Sequence, residues 1–253
     1  MDKVINKTIK KCNSILINKE SECQCYNKRN LPTNNFKKCS QINSKKRCKK
    51  YNLCKHIYTT FMNKQEPNFN IKQWKKPSIL SSHNCYAYFL NDKIKSTQKN
   101  CLTECKKNNT CHKKKYKSCS KFKPQPGYWA RSKGITINKM NTCKNLVKRV
   151  LHDNPHIKST KFRKKCPKGY YKGALVVDPG NTYHFYRQDD NVRWSHKPGT
   201  LNVTNLDASN KPIYAPHLSD RNYDKDNTDG INYTDFCTYM CVPRNDNLST
   251  NAI

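Results

Sequence analysis

Fifteen cysteines in a chain of 253 residues constrain this sequence more than any other feature. An odd number leaves at least one thiol unpaired if every other cysteine is oxidised within the chain. No two cysteines are separated by two residues, which excludes the zinc-ribbon knuckle and the thioredoxin-type motif. The cysteines fall in an N-terminal group, a central cluster, a C-terminal pair and three isolated positions: Cys12, Cys23, Cys25, Cys39, Cys48 and Cys54; Cys101, Cys105, Cys111 and Cys119; Cys237 and Cys241; Cys85, Cys143 and Cys166.

The central cluster leaves two chemistries open. The cysteine and histidine side chains of this cluster suit zinc, but their spacing matches no standard zinc site. Disulfides are the preferred interpretation in a region with so little apolar sequence, and they would require an oxidising route of assembly. We predict neither a metal nor a cofactor. The zinc alternative would use Cys101, Cys105, Cys111, His112 and Cys119.

Positive charge is concentrated in the first two thirds of the chain. Residues 1–76 carry 19 basic and 4 acidic side chains and residues 77–165 carry 22 and 3, whereas residues 166–253 carry 9 and 10. A basic surface of this kind attracts nucleic acid or another polyanion without reading its sequence, so residues 1–165 are a candidate polyanion-binding region. Coding bias is an equal alternative, because the chain is rich in Lys, Asn, Ile and Tyr together.

Apolar segments are too short for the membrane. The run Ala174-Leu175-Val176-Val177 is far shorter than a bilayer span, and the residues after Met1 lack the apolar stretch of a secretory signal. We therefore expect no membrane partner, no transmembrane segment and no signal peptide.

The patterning predicts an α+β fold with a basic Cys-rich segment at residues 1–76, loosely folded or stapled by disulfides. The folded domain is expected at 77–245, with a Lys/Cys-rich insertion at about 93–123 and a tail at 246–253. A helix is predicted to begin near Cys85, after a cap at Ser82 or Asn84, and another to cover 142–153. Four antiparallel strands are predicted at 171–178, 181–188, 192–197 and 236–242, separated by turn-forming residues.

Cys85 and two histidines are the candidate catalytic groups. A cysteine in the first turn of a helix is predicted to have a stabilised thiolate, because unsatisfied N–H groups point toward it. His184 and His196 lie on neighbouring predicted strands, where a short turn can bring them side by side. An imidazole that accepts the thiol proton and a polar group that orients the imidazole complete a nucleophilic site. Gln188 competes with His196 for the orienting role.

The segments Asn84 to Tyr88, Tyr183 to Arg187 and Trp194 to His196 resemble the papain-like superfamily in its NlpC-type branch. The resemblance covers roughly residues 80–245 and implies a nucleophile helix packed on an antiparallel sheet. It also implies Cys85 as nucleophile, His184 as general base and His196 as the orienting residue, with a peptide or amide as substrate. The slightly longer segments Tyr183 to Gln188 and Trp194 to Gly199, with Asn84 to Tyr88, resemble uncharacterised Cys-rich proteins of large DNA viruses. This resemblance implies a virion or host-cytoplasm location.

Three further residues are candidates for the substrate site. Asn84 is expected either to line the oxyanion site or to act only as the helix cap. Trp194 is expected to line a substrate groove with Tyr128 and Trp129, although aromatic residues more often pack in a core. The predicted function is a thiol hydrolase of the peptidase or amidase type. The alternatives are a non-catalytic basic virion protein that binds a polyanion and a small disulfide-built extracellular module.

Overall fold

A five-stranded antiparallel sheet with the strand order β1-β5-β2-β3-β4 forms the centre of the computed structural model. The structure describes residues 2–27, 45–93, 95–109, 119, 123–127, 141–225 and 230–244. The strands are β1 (Lys158–Thr160), β2 (Tyr170–Asp178), β3 (Thr182–Gln188), β4 (Trp194–His196) and β5 (Asp235–Pro243). The helices are α1 (Asp2–Asn27), α2 (Lys45–Thr59), α3 (Ile71–Trp74), α4 (Pro77–Ser82), α5 (Cys85–Phe89), α6 (Lys95–Lys107) and α7 (Cys143–Asp153).

The mixed α+β class and the antiparallel sheet confirm the coarse fold prediction. All four predicted strands lie within two residues of the observed bounds, although β4 is only three residues long. β2 and β3 form a hairpin in which Val176 faces His184, and β4 continues the sheet by pairing His196 with Tyr186. The last strand, β5, inserts between β1 and β2 rather than closing an edge. None of the helices in the described ranges combines the length and apolar character that a membrane crossing requires.

Both faces of the sheet are buried. Successive side chains of a strand point to opposite faces, and in β2 Leu175 and Val177 join one apolar cluster while Ala174 and Val176 join the other. α5 and α7 cover the first face with Tyr86, Phe89, Leu146 and Val150. Helices therefore flank the sheet on two sides, which explains why most of β2 is inaccessible to solvent.

The N-terminal segment differs from the loose structure that we expected. α1 and α2 are helices, and their buried residues belong to the cluster on the second face of the sheet. The apolar positions repeat at helical spacing once cysteine is counted as an apolar residue. This applies to Ile9, Cys12 and Leu16 in α1 and to Tyr51, Cys54 and Tyr58 in α2. The Cys12–Cys54 disulfide, which matches the stapled alternative, joins the two helices.

Three more disulfides with both partners described fasten other parts of the chain. Cys143–Cys237 joins the start of α7 to β5, and Cys166–Cys241 joins the segment before β2 to β5. Cys101–Cys119 closes part of the Lys/Cys-rich insertion, in which Cys105 is also disulfide-bonded. A disulfide reduces the conformational freedom of the unfolded chain, which compensates for a composition with only 34% hydrophobic residues. The tail at 246–253 lies outside the described residues.

Candidate active site

Cys85 is the first residue of α5, as predicted, and its thiol is free. Every other cysteine whose side chain is described is in a disulfide. Asn84 caps the helix, since its Oδ1 accepts hydrogen bonds from the backbone amides of Tyr86 and Ala87. Its Nδ2 donates to the carbonyl oxygen of Pro124 at 2.6 Å. The structure thus supports the capping alternative for Asn84, and a role toward an oxyanion stays a prediction.

Side chains on both sides of α5 hold Cys85 in place. Tyr86 donates its hydroxyl to Asp153 in α7 at 3.0 Å. Tyr88 lies 2.7 Å from the hydroxyl of Ser195 in β4, and Arg187 in β3 donates to the Tyr88 hydroxyl. The short helix is therefore fixed to α7 and to the two strands that carry the candidate histidines.

The environment of the thiol reverses one expectation. We predicted that the helix start would favour the thiolate, but burial raises the pKa of Cys85 to about 11. The amides of Phe185 and Tyr86 and the charge of Lys197 oppose this shift without cancelling it. α5 has only five residues, so its dipole is small. Cys85 is consequently a neutral thiol in the resting protein.

The two candidate histidines are in direct contact. Nε2 of His184 lies 2.8 Å from Nδ1 of His196, and Nε2 of His196 lies 2.9 Å from the carbonyl oxygen of Leu206. A carbonyl only accepts, so Nε2 of His196 carries a proton. Burial lowers the pKa of His196 to about 4, and burial followed by the neighbouring His196 lowers that of His184 well below its ordinary value. Both rings are therefore neutral at physiological pH.

The tautomers of both rings follow from these partners. Because His196 is neutral and protonated on Nε2, its Nδ1 is an acceptor, and the Nε2–H of His184 must donate to it. This leaves Nδ1 of His184 unprotonated and able to accept a proton. The Leu206 carbonyl thus determines which nitrogen of His184 is basic.

The thiol lies beside the strand segment that carries His184. The residue directly after His184 is Phe185, and the hydrogen bond from its backbone amide acts on the Cys85 thiol. The β3–β4 ladder runs from Gln188 to Tyr186, so His184 and Phe185 lie beyond the pairs that it forms. Alternation along β3 places Phe185 in the apolar cluster that contains Cys85, whereas the His184 ring packs on the other face against Tyr186 and His196.

Two tyrosines border the same place and were not predicted as site residues. The Tyr233 ring packs against the His184 ring with 5.4 Å between centroids. Tyr183 lies next to His184 in sequence, and its hydroxyl donates a hydrogen bond to Oε1 of Gln125. Burial raises the pKa of both phenols, and a negative charge on Cys85 adds a smaller effect in the same direction. Tyr183 lies in the motif already singled out, whereas no local signal pointed to Tyr233.

Gln188 and Trp194 do not take the roles that were expected of them. His196, not Gln188, contacts His184, and Oε1 of the buried Gln188 has no partner among the described residues. Trp194 is completely buried and packs against Tyr239, which supports the core-packing alternative over the groove-lining one. Trp194 fills the space between the sheet and the helices α1 and α2. The sequence pattern did not predict this particular position. Tyr128 and Trp129 lie outside the described residues.

The zinc alternative loses three of its five ligands to disulfides. Cys101 and Cys119 are bonded to each other, and a disulfide sulfur is not a thiolate ligand. Cys105 is oxidised as well. Cys111 and His112 lie outside the described ranges, and within those ranges no three His, Cys, Asp or Glu residues form a group that could hold a metal ion.

Fold and site together define a disulfide-rich α+β protein with a buried free thiol at the start of α5 and a hydrogen-bonded pair of histidines on β3 and β4. No family model matches the chain, and no solved structure matches it. Insoluble matrix shell protein 1 of the clam Ruditapes philippinarum is 54% identical to it over 48 residues. That segment is 19% of this chain and 32% of the clam protein, so the match spans about a third of the relative's length.

Proposed function

We propose that the protein is a thiol hydrolase of the papain-like, NlpC-type kind that cleaves peptide or amide bonds through Cys85. The observation that carries this proposal is the hydrogen-bond chain from the Leu206 carbonyl through His196 to His184. It leaves an unprotonated nitrogen on His184, the residue before Phe185, whose backbone amide hydrogen-bonds the Cys85 thiol. A histidine buried only for packing needs no second histidine to select its tautomer.

The reaction begins from neutral groups. Sγ of Cys85 attacks the substrate carbonyl carbon while its proton moves to Nδ1 of His184, and the carbonyl oxygen takes the negative charge. His184 then gives that proton to the leaving nitrogen as the carbon–nitrogen bond breaks, which leaves a thioester on Cys85. A water molecule, deprotonated by His184, attacks the thioester. The acid product departs and the sulfur regains its proton from His184.

The pKa directions explain why proton transfer must accompany the attack. Cys85 has a raised pKa and His184 a lowered one, so a resting thiolate–imidazolium pair is disfavoured. Once His184 accepts the proton, His196 receives a stronger hydrogen bond from the positive ring. Its own Nε2–H remains anchored on Leu206. His196 thus stabilises the charge that develops on His184 without moving.

Hydrolysis of a small panel of peptide and aminoacyl amides, with mass spectrometry of the protein, tests this proposal. We expect the wild type to release amine and to carry a transient acyl adduct on Cys85. Cys85→Ala and His184→Ala abolish both signals, while thermal unfolding shows that the fold is retained. His217→Ala is the matched control, since His217 is a partly buried histidine that packs against Phe162 and Tyr239. Equal turnover in the wild type and Cys85→Ala refutes the proposal.

The second candidate function is a structural component of an extracellular matrix, with or without catalysis. The similarity to a shell matrix protein favours it, and so do the disulfides, which persist in oxidising surroundings. Both features favour an extracellular setting over the virion or host cytoplasm that we expected from the viral resemblance. The net charge of +33 suits an acidic partner such as a sulfated polysaccharide or nucleic acid.

Binding to heparin and to DNA across a salt series tests the second candidate. Neutralising phosphate or sulfate groups releases counterions, so the logarithm of affinity should fall linearly with the logarithm of salt concentration. Cys85→Ala should bind as well as the wild type, since the thiol takes no part. A flat salt dependence contradicts the polyanion interpretation and leaves the hydrolase proposal unaffected.

A further inference from the structure

Lys197 is a fully buried lysine whose ammonium group has three carbonyl partners. Nζ donates to the oxygens of Leu80 at 2.8 Å, His83 at 2.6 Å and Gly199 at 2.6 Å. An ammonium group has three N–H donors, so each donor has an acceptor. A buried charge is tolerated only with such partners, because losing water costs several kcal/mol.

The partners of Lys197 belong to the two parts of the chain that carry the candidate catalytic groups. Leu80 is in α4 and His83 is the C-cap of that helix, two residues before Cys85. Lys197 itself directly follows His196, the last residue of β4. A single side chain therefore ties the segment leading to the thiol to the strand that holds the orienting histidine.

The charge of Lys197 also acts on the thiol. It lowers the pKa of Cys85, against the larger effect of burial. Burial, and then the nearby Lys123, lower the pKa of Lys197 to about 7, while Cys85 acts in the opposite direction. Lys123 is half-buried and its own pKa is lowered by burial. Among the described residues, Lys123 and Cys85 are therefore the titratable groups that act on Lys197.

We propose that Lys197 is a positioning residue of the candidate active site, which holds Cys85 in place relative to the histidine pair and favours the thiolate during attack. This inference rests on the proposed hydrolase function. Lys197 touches the backbone of the nucleophile segment and not the reacting atoms, so it acts through Cys85. The motif Trp194 to Gly199 then contributes more than His196, because Lys197 and Gly199 both take part in the hydrogen bonds that link β4 to the segment before Cys85.

The pH profile of Cys85 alkylation by iodoacetamide, followed by peptide mass spectrometry, tests the inference. In Lys197→Met the rate at neutral pH should fall about tenfold, equivalent to about one pKa unit of the thiol. Lys197→Arg should retain more of the rate, since it keeps the charge. Lys172→Met is the matched control: Lys172 is a second buried lysine that donates to carbonyls, those of Phe61 and Phe162, and Cys85 does not shift its pKa.

The wild type alone provides an independent check if Lys197→Met does not fold. As Lys197 loses its proton near pH 7, the thiolate loses support, so the logarithm of the alkylation rate should flatten there before rising again. The histidines of the site do not interfere, because they titrate at lower pH. A profile that rises with unit slope through pH 7 overturns the inference, and so does a folded Lys197→Met with the wild-type profile.

The outcomes separate this inference from the proposed function. If the wild type hydrolyses amides but Lys197→Met is unaffected in both turnover and alkylation, only the role of Lys197 is refuted. If alkylation depends on Lys197 while no variant or wild-type protein hydrolyses any amide, only the hydrolase proposal is refuted.

Discussion

Nε2 of His184 and Nδ1 of His196 lie 2.8 Å apart, on two adjacent strands of the sheet. This contact is possible because Tyr186 and His196 form the last pair of the β3–β4 ladder, so His184 lies just beyond it. Nε2 of His196 in turn lies 2.9 Å from the Leu206 carbonyl oxygen. The first two predictions follow from this chain of contacts and from the burial of the Cys85 thiol.

Removing His196 should impair proton transfer by His184 and leave the reactivity of the Cys85 thiol unchanged. His196→Ala should lower kcat/KM for amide hydrolysis by about 10- to 100-fold, since groups that orient a catalytic ligand typically contribute this much. His196→Asn, whose amide oxygen can accept from His184, should recover part of the loss. Alkylation of Cys85 should change little in either variant. Equal activity in His196→Ala and the wild type contradicts the orienting role.

Cys85 should react slowly at neutral pH. With a pKa of about 11, the thiol should be alkylated by iodoacetamide at a rate that keeps rising up to about pH 11. The same cysteine in protein unfolded in urea, with its disulfides intact, should follow the ordinary thiol pKa of about 8.5. Fast labelling of native protein well below pH 8.5 indicates a resting ion pair and refutes the neutral mechanism.

Stability should decline in acid because of the buried histidines. The pKa of His196 is about 4 in the folded protein and about 6.5 when unfolded, so between these values the unfolded chain binds more protons. Its contribution is fully present above about pH 6.5 and is lost as the pH falls toward 4. His196→Gln should therefore show a shallower loss of unfolding free energy than the wild type over this range, by an amount on the order of 2 kcal/mol. Parallel urea-denaturation curves at each pH provide the measurement, and identical slopes rule out this contribution.

Gly173 should not accept a side chain. A Cβ built there would lie 2.2 Å from Cε2 of Phe89 and 3.2 Å from the carbonyl oxygen of Tyr186. Gly173→Ala should therefore lower the free energy of unfolding by about 1–3 kcal/mol and displace α5, which carries Phe89 and Cys85. Phe89→Leu in the Gly173→Ala background should recover part of this loss, as chemical denaturation would show. Additive losses in the double variant indicate that Phe89 is not the obstacle.

The disulfide between α1 and α2 should decide whether these helices stay on the sheet. Replacing both Cys12 and Cys54 by Ser should destabilise the protein by about 2–4 kcal/mol, the usual effect of losing a disulfide. Hydrolysis should persist if the sheet and α5 remain intact at the assay temperature. Hydrogen exchange of α1 and α2 amides should increase in this variant. Unchanged exchange shows that apolar contacts alone hold the helices in place.

Local patterns predicted the elements that carry the candidate site. These patterns are the cap at Asn84, the spacing of Leu146 and Val150, and the turns around β3. Each of them depends on residues only a few positions apart, so the sequence predicts it directly. The same patterns did not reveal α1 and α2. Their buried stripes include Cys12 and Cys54, which we had interpreted only as cross-linking residues and not as part of an apolar face.

The sequence by itself determined the α+β class, the start of the helix at Cys85 and the order of one cysteine and two histidines, because these depend on residue type and local spacing. Tertiary structure decided which side chains were covered, and hence that Trp194 lies in the core and that the pKa of Cys85 rises instead of falling. It also decided the tautomer of His184 through Leu206 and brought Lys197 to the carbonyls before Cys85. Burial and long-range contacts depend on how distant segments pack, and no periodicity within one segment contains that information.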